Sequence, residues 1–271
     1  MPTFQTPAPI SARIETSAGW VRLFTTDRAE TVVTVGPRDE SNSADVAAAQ
    51  HVRVDFQNGT LSVAGARRFL PLFRAGAVDI DIELPARSRL HASLASAAMR
   101  ADGEYADVKV FGASGDVEID VVDGRLKASI ASGALTVHAL EGSAAVTSAS
   151  GDVTIWDANG DLKLNSASGS LSVGRLRGRV KARTASGSVD ITAAVRGEVS
   201  AHTNSGEVSI GVAEGTAARL DIVNGSGDIS NTLEPFDGPA VGDQTVVVQV
   251  RGGSGDVDIH RAAPHVVTDR L

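Results

Sequence analysis

Glycine recurs every nine residues through the middle of this chain, and that beat restricts the fold more than any other feature. It falls at Gly124, Gly133, Gly142, Gly151, Gly160, Gly169, Gly178 and Gly187, then slips by one and continues at Gly197, Gly206 and Gly215. Alternate glycines differ in context. Ser114-Gly115, Ser132-Gly133, Ser150-Gly151, Ser168-Gly169 and Ser186-Gly187 form one series, whereas the intervening glycines follow Asp123, Glu141, Asn159 and Arg177. The period is therefore 18 residues, made of two unlike halves. Ser96-Ala97 reads as a degenerate first copy, and Ser205-Gly206, Ser226-Gly227 and Ser254-Gly255 extend the theme with insertions.

Between the glycines, apolar and polar residues alternate. Val117 and Ile119, Leu135 and Val137, Val153 and Ile155, Leu171 and Val173, Val189 and Ile191, and Val208 and Ile210 hold matched places after each Ser-Gly. Short period-two runs of β-branched residues punctuated by glycine are half-buried strands. A meander of hairpins would satisfy that pattern, because Asp-Gly and Asn-Gly favour hairpins, but nothing in a meander demands likeness at 18. In a solenoid, residues one turn apart lie above one another and should be alike. The chain is therefore expected to be all-β, a parallel β-solenoid of about 18 residues per turn. Hexapeptide helices share that turn length, but the beat here is nine, which favours two sheets per turn. Stacking predicts inward columns Leu126, Ala144, Leu162, Val180, Val199 and Ala128, Val146, Leu164, Ala182, Ala201. A hydroxyl column of Ser148, Ser166, Thr184 and Thr203 should be inward and hydrogen-bonded, since an unpaired buried hydroxyl costs about 1–3 kcal/mol.

Residues 1–95 lack the beat and read as an N-terminal β cap, antiparallel and continuous with the solenoid, with strands near Trp20–Phe24, Thr31–Val35, Val52–Phe56, Thr60–Val63 and Val78–Leu84. Such a cap protects strand edges and core at an end turn. Residues 96–230 are the repeat. Residues 231–271 read as a loop, a capping hairpin of Thr245–Val250 with Gly255–Ile259, and a tail. The run Phe69-Leu70-Pro71-Leu72-Phe73, bounded by Arg67, Arg68 and Arg74, is expected to fold over the open end as a lid rather than dock on a membrane surface.

Composition removes several classes of function. Aromatics are 4% of the chain, which argues against a deep ligand pocket. A net charge of −8 argues against a general nucleic-acid binder. Cysteine is absent, so disulfides, thiolate metal sites and a cysteine nucleophile are excluded. The amino terminus has no secretory pattern and no segment is long and apolar enough to span a bilayer, so the expected location is the cytoplasm.

No chemistry stands out. Asp116, Asp152, Asp228 and Asp256 follow Ser-Gly and could suggest calcium, but Ala134, Ser170 and Ser188 occupy the equivalent positions, and the glycine-rich calcium nonapeptide is not matched. No serine sits in a nucleophile elbow. His51, His91, His260 and His265 lack metal-ligand spacing, and His138 and His202 fall on opposite faces. Asp116 and Asp152, two turns apart, lie within the reach of a glycosidase pair, but no loop insertion builds a cleft around them. No cofactor, metal or catalytic residue is assigned, and no enzyme is expected.

The outward residues are more informative. One face carries Arg125, Lys127, Lys163, Arg179, Lys181 and Arg183; the other carries Asp116, Glu118, Asp152, Asp190, Glu207 and Asp228. Expected partner contacts are Trp156, predicted outward beside His138, together with Lys127, Lys163, Lys181 and Arg183. The expected function is a non-catalytic scaffold or protein-binding module that meets a protein partner or copies of itself. The alternatives are a polymer-forming cytoskeletal solenoid, which would need uncapped ends, and a carbohydrate-active β-helix enzyme.

The iterated "SGDVEID", "SASGDVTIW", "SASGSLSV" and "TASGSVDIT", with "VDIDIELPARSRLHAS" at 78–93, resemble a bacterial family of β-strand-repeat proteins of unknown function, often described as adhesins. The resemblance spans roughly residues 10–260, and the iteration carries it rather than any single motif. It implies a β-repeat fold and brings no agreed catalytic residues.

Overall fold

The computed structural model describes residues 1–65, 76–235, 238 and 242–263. The arginine-flanked run at 69–73 and His265 lie outside them. The chain divides into two compact units, Met1–Gly151 and Asp152–Leu271. Both are built from parallel β-solenoid turns.

Glycine recurs at nine because each turn has two tight corners, for partly different reasons. At one corner Gly124, Gly142, Gly160, Gly178 and Gly197 hold φ between +109° and +152°, a region that side chains disfavour. At the Ser-Gly corner the constraint is distance. A Cβ on Gly187 would lie 2.1 Å from the carbonyl oxygen of Gly169, one turn away. Each corner thus lets backbone approach backbone.

The first unit comprises β1 (Thr3–Gln5), β2 (Ser11–Thr26), β3 (Glu30–Pro37), α1 (Ser43–Gln50), β4 (Arg53–Gln57), β5 (Thr60–Ala64), β6 (Val78–Pro85), β7 (Ser88–Gly112), β8 (Val117–Ile130) and β9 (Leu135–Ser148). Parallel pairing at a spacing of 18 joins β7 to β8 and β8 to β9, with Leu126 opposite Ala144 and Val117 opposite Leu135. The antiparallel cap is present but thin: β1 on β3, β3 on β6, and β4 on β5. The parallel coil begins earlier than the glycine beat. β2 pairs parallel with β7 on one side and with β5 and β6 on the other, so Val21 lies between Met99 and Ile80. Gly19 makes the corner there, at φ +112°, with its Cβ position 1.9 Å from the Val78 carbonyl oxygen. The short helix α1 is capped by the Asn42 side chain, which accepts from the Ala44 amide at 3.0 Å.

The second unit comprises β10 (Val153–Ser166), β11 (Leu171–Thr184), β12 (Val189–Ser205), β13 (Val208–Val212), β14 (Thr216–Ser226), β15 (Ile229–Asn231), β16 (Gln244–Ser254) and β17 (Val257–Arg261). β10, β11 and β12 stack parallel, with Leu162, Val180 and Val199 in one column. The one-residue slip in the glycine series is absorbed as a register shift between Leu176 and Arg177.

The expected C-terminal hairpin is a correction. β16 and β17 are successive legs of one parallel turn, inserted between other turns. β16 lies between β12 and β14, so Val248 faces Val199 and Leu220. β17 lies between β13 and β15, so Val257 faces Val208 and Ile229. Insertion buries the apolar row from both sides: Val246, Val248, Val250, Val257 and Ile259 are at most 1% exposed, whereas Ile229 on the flanking turn is 50% exposed. A hairpin would have covered only one side of that row.

The two expected apolar columns are buried, and one further column had no counterpart in the alternation. Tyr105, Val122 and Leu140 in the first unit, and Ala158, Leu176, Ala194 and Val212 in the second, are buried. The ladder skips Asp120 between the pairs Ile119–Val137 and Val121–Ala139. This bend restarts the alternation one residue out of phase. The hydroxyl column is hydrogen-bonded as expected. Ser148 donates to the Gly151 carbonyl at 2.5 Å, Ser166 and Thr184 accept from the Gly169 and Gly187 amides at 2.9 and 2.8 Å, and Thr203 donates to the Gly187 carbonyl at 3.4 Å.

Candidate functional site

Three of the expected contact residues come together on the second unit. After the Gly160 and Gly178 corners, β10 and β11 point alternate side chains outward. Register places Lys163 directly beside Lys181, and Arg183 between Asn165 and His202. Adjacent strands lie about 4.8 Å apart, so the two lysines form a like-charged rung. Neighbouring arginines are neutralised. Arg177 meets Asp157 at 2.8 Å, and Arg179 sits between Asp161 at 3.7 Å and Glu198 at 3.3 Å. Lys163, Lys181 and Arg183 have no carboxylate partner among the described residues. Arg251, beside His202, is held bidentate by Asp221, with a closest approach of 2.7 Å.

The other expected contacts are placed elsewhere. Trp156 points outward and is 54% exposed, but it precedes the Gly160 corner and so occupies the other leg of the turn from Lys163. His138, in the first unit, is not free: its Nε2 lies 3.0 Å from Glu118, which also accepts from Arg100 at 3.1 Å. Lys127, also in the first unit, stacks on Lys109. The Lys109 ammonium lies 5.0 Å from the centre of the Phe111 ring. Lys109 was not singled out from the sequence, although it stands one period before Lys127 and the same counting finds it.

Three of the four aspartates that follow Ser-Gly do structural work. Asp116 accepts from the Ala134 amide at 2.9 Å, Asp152 from the Ser170 amide at 2.8 Å, and Asp256 from the Asp228 amide at 2.9 Å. Each clamps a neighbouring turn at a corner where the ladder is broken. Asp190 accepts from Thr192 at 3.2 Å and Ser172 at 3.4 Å. Among the described residues, no group of three histidine or acidic side chains could hold a metal ion, and no helix is long and apolar enough to cross a membrane.

A solved structure shares this architecture. A candidate lipid binding protein from Parabacteroides distasonis ATCC 8503 is 11% identical, with a TM-score of 0.53 over 97% of this chain and 96% of that one. A candidate adhesin from Bacteroides fragilis NCTC 9343 is also 11% identical, with a TM-score of 0.42 over 95% of each chain. The first of these is a likeness of fold. No curated protein matches the chain. The profile of the family described as Toastrack DUF4097 matches residues 11–263.

Proposed function

Because the chain belongs to the Toastrack DUF4097 family, whose function is not established, we propose a role for it from its own surface: a non-catalytic binding module that docks an acidic protein through Lys163, Lys181 and Arg183. One observation carries the reading. Like charges directly opposite each other on neighbouring strands destabilise a sheet, yet Lys163 and Lys181 are stacked with no carboxylate partner among the described residues, while Arg177 and Arg179 on the same strand are neutralised. An uncompensated cationic rung on a rigid sheet complements a row of carboxylates on a partner and steers its approach. The non-catalytic part of the reading is supported by the aspartates, whose carboxylates hold backbone amides of adjacent turns rather than converging on a cleft.

The test is affinity capture from the native host, followed by mass spectrometry. Wild-type protein should retain an acidic protein that raised salt releases. The double variant Lys163→Glu/Lys181→Glu should lose it, whereas Arg53→Glu/Arg196→Glu, with the same change in net charge, should keep it. Retention by the first variant, or capture indifferent to salt, would refute the assignment. Sedimentation of purified protein distinguishes a second copy as the partner: a salt-sensitive dimer abolished by the same double variant identifies self-association.

A further inference from the structure

The first unit carries an open groove that the basic rung of the second unit does not involve. It follows the corner at the end of each second leg. Register sets Glu15 beside Ser93 and Phe111 beside Ser129 on the outward side, and Thr16 beside Leu94 and Gly112 beside Ile130 on the inward side, and the Ala113 amide donates to the Leu94 carbonyl at 3.0 Å to join the two pairs of turns. The corner positions Ala95, Ala113 and Ala131 that adjoin these rows are small. The result is a groove of about 590 Å³, with Leu94, Phe111, Ala95, Ala113 and Ala131 among its lining residues. That volume falls in the range of small-molecule sites, roughly 300–1,000 Å³. Its surface is mainly apolar, and Phe111 is an exposed aromatic at its wall, 37% accessible.

Charge is distributed unevenly beside the groove. Lys109 leans over the Phe111 ring, and Lys127 stacks beside Lys109 on the next turn. Neither has a carboxylate partner among the described residues. His91 lies 6.0 Å from the Phe111 ring, centre to centre. Its pKa is pushed down by burial and then by Lys109 and Arg13, against an opposing pull from Glu15. Glu15 lines the groove on the earliest of these turns, so an anion is favoured near Lys109 and Lys127. An apolar furrow with cations at one side and an acid at one end fits a ligand with one tail and one negative head.

We infer that this groove binds a single-chain fatty acid, its acyl chain along Leu94, Phe111 and Ala113 and its carboxylate at Lys109 and Lys127. Isothermal titration calorimetry of the full chain with dodecanoate, below the concentration at which it forms micelles, tests this. Saturable binding of one dodecanoate per chain is expected, with none detected for butanoate or for dodecyltrimethylammonium. Lys109→Gln and Lys127→Gln should each weaken it about tenfold, as loss of a charge-assisted contact does, and Phe111→Ser should weaken it through the tail. Lys163→Gln/Lys181→Gln should leave it unchanged, which separates this site from the protein-docking rung. All these side chains are exposed or half-exposed, and thermal melts check that each variant folds. The proposal is overturned if dodecanoate does not saturate, if the cationic amphiphile binds as tightly, or if the folded groove variants bind like wild type.

Discussion

Replacing Gly178 with alanine puts two separate demands on the same corner. The residue holds φ at +148°, and a backbone conformation of this kind costs a non-glycine residue about 1–3 kcal/mol. The added Cβ would also lie 2.1 Å from the Gly160 carbonyl oxygen and 2.8 Å from the Gly160 carbonyl carbon. Relief requires β10 and β11 to part by roughly 1 Å locally, which takes the flanking ladder bonds out of hydrogen-bonding range. Losing one or two such bonds adds about 0.5–1.5 kcal/mol each. The sum is about 1.5–6 kcal/mol, a large share of the stability of an ordinary domain. Gly36 is the control. It lies in β3, its φ is not in the positive region, and a Cβ there meets nothing within 4 Å, so Gly36→Ala should change stability by less than about 0.5 kcal/mol. Urea denaturation followed by far-ultraviolet circular dichroism compares the two. Equal midpoints would refute the argument that Gly178 is required by backbone conformation and by the turn beneath it.

The remaining predictions concern the core, the hydroxyl column, the cationic rung and the tyrosine. Leu176→Ala should cost about 2–5 kcal/mol in the same urea assay, because Leu176 is 0% exposed and its removal opens a cavity in a narrow core. Thr184→Val should cost about 1–3 kcal/mol, because the Gly187 amide loses its acceptor while the volume is conserved. Lys181→Glu should raise the urea midpoint while abolishing partner capture, since it turns a like-charged rung into an opposite-charged one; a loss of both would mean that Lys181 serves the fold. Tyr105, the chain's one tyrosine, is buried and donates to the Asp102 carbonyl at 3.2 Å. Burial, and then the charges of Asp102 and Asp120, push its pKa well above the usual range. Its contribution to stability is therefore complete below the unfolded value of about 10 and is lost as pH rises above that toward the folded value. Phenolate absorbance should appear only together with unfolding; ionisation at an ordinary tyrosine pH with the circular dichroism intact would contradict the burial.

Much of the fold could be read by counting. The paired glycine series states the turn length, and the residues at matched places after Ser-Gly are the ones that stack, from Val153 on Leu171 to Leu162 on Val180. The rung of Lys163 and Lys181 follows from the same arithmetic. What escaped depends on features that a period cannot encode. The buried column of Val122 and Leu140 requires the bend at Asp120, which has no glycine or proline to announce it. The inserted turn of β16 and β17 pairs with strands distant in sequence, and its own alternation is compatible with a hairpin. β2 joins the parallel coil through Gly19, a corner without a preceding serine. The groove beside Phe111 runs along the small corner residues Ala95, Ala113 and Ala131, and it becomes visible only once neighbouring turns are laid side by side.

Stacking at one period is tested most directly by a pair of cysteines. Thr154 and Ser172 are register partners on the outward side of β10 and β11, and strands about 4.8 Å apart fall within the Cα separation a disulfide spans, about 4.4–6.8 Å. Thr154→Cys/Ser172→Cys should therefore close an intramolecular disulfide under mild oxidation, seen by mass spectrometry of the intact and digested chain. Thr154→Cys/Asp190→Cys, two turns or about 10 Å apart, should stay reduced within the chain. Efficient closure of the second pair and not the first would contradict parallel stacking at eighteen residues.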